Sequence, residues 1–278
     1  MSIRIITESS SDITQELASS LDIQVLPIHL HIGEEDYIDG INLTKDRFYE
    51  LMIEEDVLPK TSQITPYEYE QAIKADEDCL IITIASELSG CYRNACFATE
   101  GMKNVRIIDS RSACLGQYVL VMRAVQLRAQ GKSLDEITNT LEKEKNNIRI
   151  IALMNTLEYL KKGGRISSVA YAAGALLGIK PVISIENGQI VVLGKARGSK
   201  SGNNMLMTQV EKNGGINFDY PIALGYSGMS QTKLDKYIKD SSSLYEGKTD
   251  NLPIVQIGPT IGTYAGEDAV AFAWFTNE

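Results

Sequence analysis

The sequence predicts an α/β protein of two domains, with a mostly parallel, Rossmann-like sheet in residues 1–150 and an α+β domain with antiparallel strands in residues 151–278. Three observations predict this fold class. Short apolar strands alternate with helical patterns through the first half, which is typical of a parallel sheet covered by helices. That alternation stops after residues 148–153. An Asn-Gly pair between two apolar segments then predicts a hairpin, and therefore antiparallel pairing.

In the first half, each predicted helix follows a strand or a capping signal. The strands are predicted at 3–6, 24–32, 79–84, 105–109 and 148–153. The helices are predicted at 13–21, from Thr44, from Pro66, from Cys91, after Ser112 as far as Gly131, and at 134–146. Ser11 or Asp12 is the expected N-cap of the first helix, and Ser133 with Glu136 forms a capping box.

The second half has a different order of predicted elements, with helices, a hairpin and later strands. The helices are predicted at 156–162, within the uncharged stretch 166–179, at 202–213 and at 232–239. The strands are predicted at 181–185, 189–193, 222–226, 254–257 and 270–275. The stretch 166–179 is apolar around its whole circumference, so we expect a buried helix, and its small residues after Val169 leave room for something beside it.

Composition and charge exclude several classes of function. Acidic residues outnumber basic ones by 36 to 27, and the net charge of −9 repels phosphate backbones and anionic bilayers, so no nucleic-acid partner is expected. The stretch 166–179 is shorter than the roughly 20 residues of a membrane span. The N-terminus lacks the apolar core of a signal peptide, and four cysteines without a CxxC pair suit a reduced compartment. We expect a cytoplasmic protein without an integral membrane segment.

Serine-rich segments follow three of the predicted strands. They are 9–11, Ser86 with Ser89, and Ser110 with Ser112. The carboxyl ends of parallel strands meet at one edge of the sheet, where hydroxyl groups and helix N-termini favour an anion. The alternative is that each serine only caps its own helix.

Two arginines and the apolar helix suggest a ligand that has an anionic head and an apolar body. Arg165 and Arg197 lie in glycine-flanked segments, and arginine suits carboxylate or phosphate recognition, although a solvated surface role stays open. An anionic head beside an apolar wall indicates an amphiphile. A tail of about fourteen methylenes at ~0.8 kcal/mol each would supply roughly 11 kcal/mol of gross driving force.

Catalytic and metal signatures are weak. His29 and His31 share a face of one predicted strand, but no third metal ligand is evident. The segment 194–201 ends in Lys-Ser like a Walker A loop, yet Ser199 stands where that motif has its second glycine. The alternative function is therefore a phosphotransferase or hydrolase, with Ser89 as nucleophile or 194–201 as phosphate loop, and it lacks an identifiable base. No metal and no cofactor are expected.

Several motifs in order resemble those of the DegV family of bacterial lipid-binding proteins. They are T-E-S-S-S-D at 7–12, T-S-Q-I-T-P at 61–66, S-E-L-S-G-C-Y at 86–92, L-K-K-G-G-R-I at 160–166, I-K-P at 179–181 and K-A-R-G at 195–198. The resemblance covers essentially the whole chain. It implies a protein that holds one long-chain fatty acid in the interdomain cleft, and that presents its carboxylate to an ATP-dependent fatty-acid kinase without being a catalyst itself.

The resemblance also implies roles for single residues. Thr61, Ser62 and Ser89 would hold the carboxylate, Ser86 and Gly90 would shape that loop, and Arg165 would lie near the head group. Arg197 would belong to the kinase-docking surface. The apolar helix would form the wall of the acyl tunnel, with the candidate residues Val169, Ala173, Gly174 and Leu177.

Three positions depart from the family pattern. Glu8 replaces the usual Asp, Cys91 replaces Thr, and Tyr264 stands where the family has a histidine. Tyrosine can donate a hydrogen bond to a carboxylate but stays neutral near pH 7. We therefore count Tyr264 among the ligand-binding residues and expect the head group to lose a protonatable partner, so that another anionic amphiphile also stays open.

Overall fold

The computed structural model describes residues 3–54, 58–174, 178–245 and 247–277. Its strands are β1 (Ile3–Glu8), β2 (Ile23–Leu26), β3 (His29–Ile32), β4 (Glu35–Ile38), β5 (Lys60–Thr61), β6 (Asp78–Thr83), β7 (Val105–Asp109), β8 (Ile148–Leu153), β9 (Lys180–Glu186), β10 (Gln189–Ala196), β11 (Ala223–Tyr226), β12 (Ile254–Gln256) and β13 (Val270–Phe275). Its helices are α1 (Gln15–Ser20), α2 (Lys45–Glu54), α3 (Pro66–Ala72), α4 (Cys91–Ala98), α5 (Leu115–Ala129), α6 (Leu134–Glu144), α7 (Glu158–Lys162), α8 (Ser168–Gly174), α9 (Gly198–Lys212), α10 (Thr232–Asp240) and α11 (Pro259–Ala265).

The first half forms the predicted parallel sheet, with strand order β2-β1-β6-β7 and parallel pairing throughout. β1 and β6 are buried along nearly their whole length, as expected of strands covered on both faces. The long helix α5 is buried around most of its circumference. It packs against β1 and β6 of this sheet and also against β8, β11 and β13, so one helix joins the two halves of the molecule.

The second half is built on a six-stranded mixed sheet in the order β10-β9-β8-β13-β11-β12. Its pairings are antiparallel except for β11 with β12, which confirms antiparallel strands in this half. The predicted hairpin is β9–β10. Asn187 and Gly188 both have positive φ, 51° and 80°, as a two-residue type I′ turn requires. The predicted boundary at 150/151 falls inside β8, which begins at Ile148 and belongs to this sheet.

Two local predictions are wrong. The segment 24–32 is two strands, β2 and β3, which lie in different sheets because Pro27 interrupts the ladder between them. The N-cap of α1 is Thr14, whose hydroxyl accepts the Leu17 N–H at 3.3 Å. Ser11 closes a 3-10 turn instead, and Asp12 ends that turn with φ 59°.

The remaining strands form a small antiparallel sheet in the order β4-β3-β5. It matters for the site because β5 ends at Thr61. His29 and His31 lie on β3 with exposed side chains and face Glu68 and Asp36. In the parts of the chain that the structure describes, no helix has the length and apolar character needed to cross a bilayer.

Candidate functional site

A cavity that is partly open to solvent lies between the carboxyl edge of the parallel sheet and one face of the six-stranded sheet. The walls come from the loops after β2 and β6, from β8, β9 and β13, and from α11, and they consist mainly of isoleucine and alanine side chains. Arg165 is the one charged side chain among its described lining residues, which include no His, Asp or Glu.

Five of the seven predicted ligand residues line this single cavity: Thr61, Ser62, Ser89, Arg165 and Tyr264. They come from β5, from the loop after β6, from the segment after α7 and from α11. The structure thus brings together residues that are as much as 200 positions apart in the chain. Their role as ligand residues stays a prediction.

Thr61 and Tyr264 meet directly, with 2.7 Å between Thr61 Oγ1 and Tyr264 Oη. The ring of Tyr264 fits because residue 163 is glycine: a Cβ there would lie 2.6 Å from two ring carbons. Gly164 then turns the chain with φ 72°, a conformation that favours glycine, and brings Arg165 back over the ring. The Gly-Gly-Arg segment is therefore explained by a close approach and a turn.

Arg165 is half-buried and held from three sides. Its Nε donates to the carbonyl of Leu88 at 3.2 Å, and one terminal nitrogen donates to the carbonyl of Gly163 at 2.7 Å. The guanidinium carbon lies 4.8 Å from the centre of the Tyr264 ring, a cation–π distance. Since a guanidinium has five N–H donors, this arrangement orients Arg165 and leaves donors for an anion.

The loop after β6 carries Ser86, Ser89 and Gly90 in three different settings. Ser89 faces the cavity, and its Oγ lies 3.3 Å from Cys91 Sγ. A Cβ on Gly90 would lie 1.8 Å from Gln63 Oε1, so this glycine lets the 61–63 segment approach. Ser86 is absent from the described lining and donates to Asp109 Oδ2 at 2.6 Å, which ties the loop to the end of β7.

The serines of the other two serine-rich segments form hydrogen bonds within the protein. Ser10 donates to Gln117 Oε1 at 2.9 Å, Ser11 donates to the carbonyl of Glu8 at 2.8 Å, and Ser110 donates to the carbonyl of Ser112 at 3.0 Å. All three serines are buried. The alternative that each serine caps its own helix is not what the structure shows either, because Thr14 caps α1 and no side chain caps α5. These serines are instead bonded within the protein.

Three buried carboxylates near the cavity were not predicted. Glu8 Oε1 accepts from Tyr69 Oη at 2.5 Å, its Oε2 accepts from Gln117 at 2.7 Å, and burial raises its pKa. Asp39 Oδ2 accepts from the Thr260 hydroxyl, and burial raises the pKa of Asp39. Desolvation raises the pKa of Asp12 from 3.8 to about 6. Sequence patterns give no signal for them, because their burial is created by contacts between distant segments.

The walls formed by β8, β9 and β13 were also missed. Ala152 on β8 lies beside Ala271 on β13, and both line the cavity together with Ala269. Small residues at alternate positions of a buried strand leave space on one face, and this was the available signal. Cys114 lines the cavity too, and burial raises the pKa of its thiol well above its usual range.

The predicted acyl-tunnel residues fall in or just after α8. Val169, Ala173 and Gly174 belong to α8, but their side chains, like the whole of Leu177, are outside the described residues. Ala170 and Tyr171 of the same helix pack on a cluster that includes Ile183 and Ala265, and these two line the cavity. The tunnel role of the four candidates stays a prediction.

Of the features behind the alternative function, Ser89 lines the cavity, whereas the two histidines and the segment 194–201 do not. Neither His29 nor His31 is among the described lining residues, so no imidazole stands ready as a base for Ser89. The segment 194–201 is the end of β10 followed directly by α9, without the wide loop of a phosphate-binding motif. Among the described residues there is no group of three metal-ligating side chains.

Arg197 lies apart from the polar cluster. It is the N-cap residue of α9, it is exposed, and it lines a different groove with Lys200 and Ser201. The structure therefore separates the two arginines that the sequence singled out.

Comparison with known proteins gives consistent matches over nearly the full length. The model of the DegV family, described as uncharacterised protein, matches residues 2–277. A DegV domain-containing protein of Caldanaerobacter subterraneus is 32% identical over 275 residues, with 96% of each chain covered. A fatty acid binding DegV family protein from Streptococcus agalactiae is 31% identical over the full length of both chains, with a TM-score of 0.86. A stearic acid-binding protein from Eubacterium ventriosum is 26% identical, with 97% and 96% covered and a TM-score of 0.84.

Proposed function

We propose that this chain, which belongs to the DegV family, binds one long-chain fatty acid in the cavity and is not itself a catalyst. The observation that carries the proposal is the single cavity with an apolar wall and a polar cluster of Thr61, Ser89, Arg165 and Tyr264. Apolar walls with a few placed polar groups match an amphiphile with one anionic head. Among the described lining residues none is acidic, so Arg165 is the charge that a carboxylate would meet there.

The relatives support the same ligand class. The solved Streptococcus agalactiae and Eubacterium ventriosum proteins, whose names describe fatty acid binding, share this fold along almost the whole chain. Arg165 supplies the charge-assisted bond. Ser89 and one hydroxyl of the Thr61–Tyr264 pair supply neutral donors, because the other proton of that pair is used in the bond between the two side chains. A hydrogen bond to a charged group contributes about 1.5–3 kcal/mol.

Delipidated protein tests the proposal. A long-chain fatty acid should raise the melting temperature, because a ligand that binds the native state alone stabilises it by mass action. Ser89→Ala should reduce that shift and leave the melting temperature without lipid near that of wild type. Ser19→Ala is the matched control, since Ser19 lies exposed on α1. No shift with any chain length, together with a shift given by ATP and magnesium, would favour the phosphotransferase alternative.

The finer part of the proposal is that an ATP-dependent fatty-acid kinase phosphorylates the bound carboxylate, with Arg197 in the docking surface. What supports this is the K-A-R-G resemblance at 195–198 and the position of Arg197, which is exposed and outside the cavity lining. Arg197→Ala should leave fatty-acid affinity near wild type and slow acyl-phosphate formation. Equal losses of lipid binding and phosphorylation would instead place Arg197 at the head group.

A further inference from the structure

A polar groove runs along α9 and has no part in the head-group cluster. It consists of two adjacent depressions, which share Leu193 and Gln209 in their lining. Its cationic side chains are Arg111, Lys145, Arg149, Arg197, Lys200 and Lys212. Glu186 is the one acidic residue among the described lining residues. We call this feature the basic groove, and it opposes the net charge of −9 of the chain.

Half of these cations lack an internal partner. Arg111, Arg197 and Lys212 are exposed, and their side chains make no ion pair or hydrogen bond with the residues that the structure describes. Lys145 and Arg149 are fixed: Lys145 Nζ lies 2.8 Å from Glu142, and Arg149 Nε donates to Asn213 Oδ1 at 3.1 Å. Two cations of the groove are therefore held in place by the protein, and the three exposed ones are available to an anionic partner.

The groove is long enough for an extended peptide. Lys200, Asn204, Thr208 and Lys212 line it and recur every four residues, which places them on one face of α9. At 1.5 Å per residue, Lys200 and Lys212 are about 18 Å apart along the helix axis. An extended chain rises about 3.3 Å per residue and would cover that distance with five or six residues.

The floor of the groove is shaped by an irregularity in β10. The pairing of β10 with β9 shifts register between Val192 and Gly194, so Leu193 is the extra residue of a bulge. Bulges redirect a side chain, and Leu193 lines both depressions. A lining that combines the apolar Leu193 with six cations suits a peptide with acidic side chains.

The lining favours a protein partner over a nucleic acid or a nucleotide. It contains no aromatic side chain among the described residues, so bases have no stacking platform. The side-chain amides of Asn204 and Gln209 can pair with peptide groups. A long phosphate backbone would also meet the repulsion of the rest of the chain.

We infer that the basic groove binds an extended acidic segment of a partner protein. The inference extends docking from Arg197 to a surface that reaches Arg111 in the first half of the chain. It rests on the proposed function in one respect, namely that the partner is the kinase. Binding of an acidic peptide does not depend on that identification.

Fluorescence anisotropy with a labelled peptide of five Glu-Gly repeats tests the inference. Arg111→Glu, Arg197→Glu and Lys212→Glu should each weaken binding at least about fivefold, and added salt should weaken binding to wild type. Lys103→Glu is the control, because Lys103 is exposed outside the groove and the change in net charge is the same. It should weaken binding less than about twofold.

Three outcomes would overturn the inference: an equal loss in Lys103→Glu, unchanged binding in Arg111→Glu, or competition by oligothymidylate as strong as by unlabelled peptide. The fatty-acid thermal shift is measured on the same variants and should be unchanged. Peptide binding without any lipid shift in wild type would refute the proposed function and leave the groove standing. A lipid shift without peptide binding would refute the groove and leave the lipid site standing.

Discussion

Asp12 offers a sharp test of how the two halves of the chain are held together at the cavity. Its Oδ1 accepts the backbone N–H of Gly258 at 2.7 Å, and Gly258 directly precedes α11, which carries Tyr264. Asp12 is 4% exposed, and its Oδ2 has no hydrogen-bond partner of good geometry among the described residues. The titratable groups around it are Lys45, Asp39 and the Cys114 thiol.

Burial therefore makes the charged form of Asp12 unfavourable in the folded state. Its pKa is raised from 3.8 to about 6, with desolvation as the main cause and Lys45 as the largest opposing effect. This difference corresponds to roughly 3 kcal/mol of unfolding free energy. Because the folded pKa is the higher one, that stability is fully present below pH 3.8 and is lost as the pH rises through 6. Between pH 4 and pH 8 the loss is about 2 kcal/mol.

Asp12→Asn should remove this pH dependence. Asparagine retains an acceptor for the Gly258 N–H and tolerates the positive φ of 59°. Urea unfolding at pH 4 to 8 can be followed through Trp274, the single tryptophan, which is fully buried. The stability of wild type relative to the variant should fall by about 2 kcal/mol over that range. Asp76→Asn changes an exposed carboxylate, and its unfolding free energy should depend on pH in the same way as that of wild type. If the unfolding free energies of Asp12→Asn and wild type show the same dependence on pH, the reasoning is refuted.

Three further changes test the site itself. Tyr264→Phe removes the 2.7 Å hydrogen bond to Thr61 but keeps the ring under Arg165, so fatty-acid affinity measured by calorimetry should fall by about 1 kcal/mol; unchanged affinity would remove this hydroxyl from the site. Gly163→Ala puts a methyl group 2.6 Å from the Tyr264 ring, so it should weaken binding more than Tyr264→Phe does, in the same assay. Ala271→Phe should weaken the binding of long-chain fatty acids more than that of short ones in a thermal-shift series. An equal loss for all chain lengths, with a lowered melting temperature in the absence of lipid, would instead indicate overpacking.

The fold was largely predictable because local patterns and packing agree. The apolar runs that became β6 and β7 pair in a parallel sheet, and Asn187-Gly188 makes the hairpin turn that its chemistry predicts. The split of 24–32 into two strands was not predictable from alternation. β3 alternates between exposed and buried residues whereas β2 buries both Val25 and Leu26, and the sheet that each strand joins also depends on partners far away in the chain.

The candidate site was predictable only in part, for a related reason. Thr61, Ser89 and Arg165 stand in short motifs, so the sequence could single them out, and the structure places all three along one cavity. Most of the apolar wall comes from β8, β9 and β13. These strands hold ordinary Ile and Ala residues, which become a cavity wall only when the sheet and α11 are assembled.

Two departures from the family pattern, Glu8 and Cys91, turn out to be neighbours in one polar chain. The longer side chain of Glu8 reaches Tyr69, with 2.5 Å between Oε1 and Oη, and Tyr69 in turn contacts Cys91. Burial raises the pKa of the Cys91 thiol to about 12, so it stays protonated beside Ser89. A thiol is a weaker acceptor than a hydroxyl, and the Ser89 hydroxyl is therefore held less firmly by its own loop. If the proposed function holds, we expect Ser89 to turn to a bound carboxylate at lower cost, although Cys91 itself does not line the cavity.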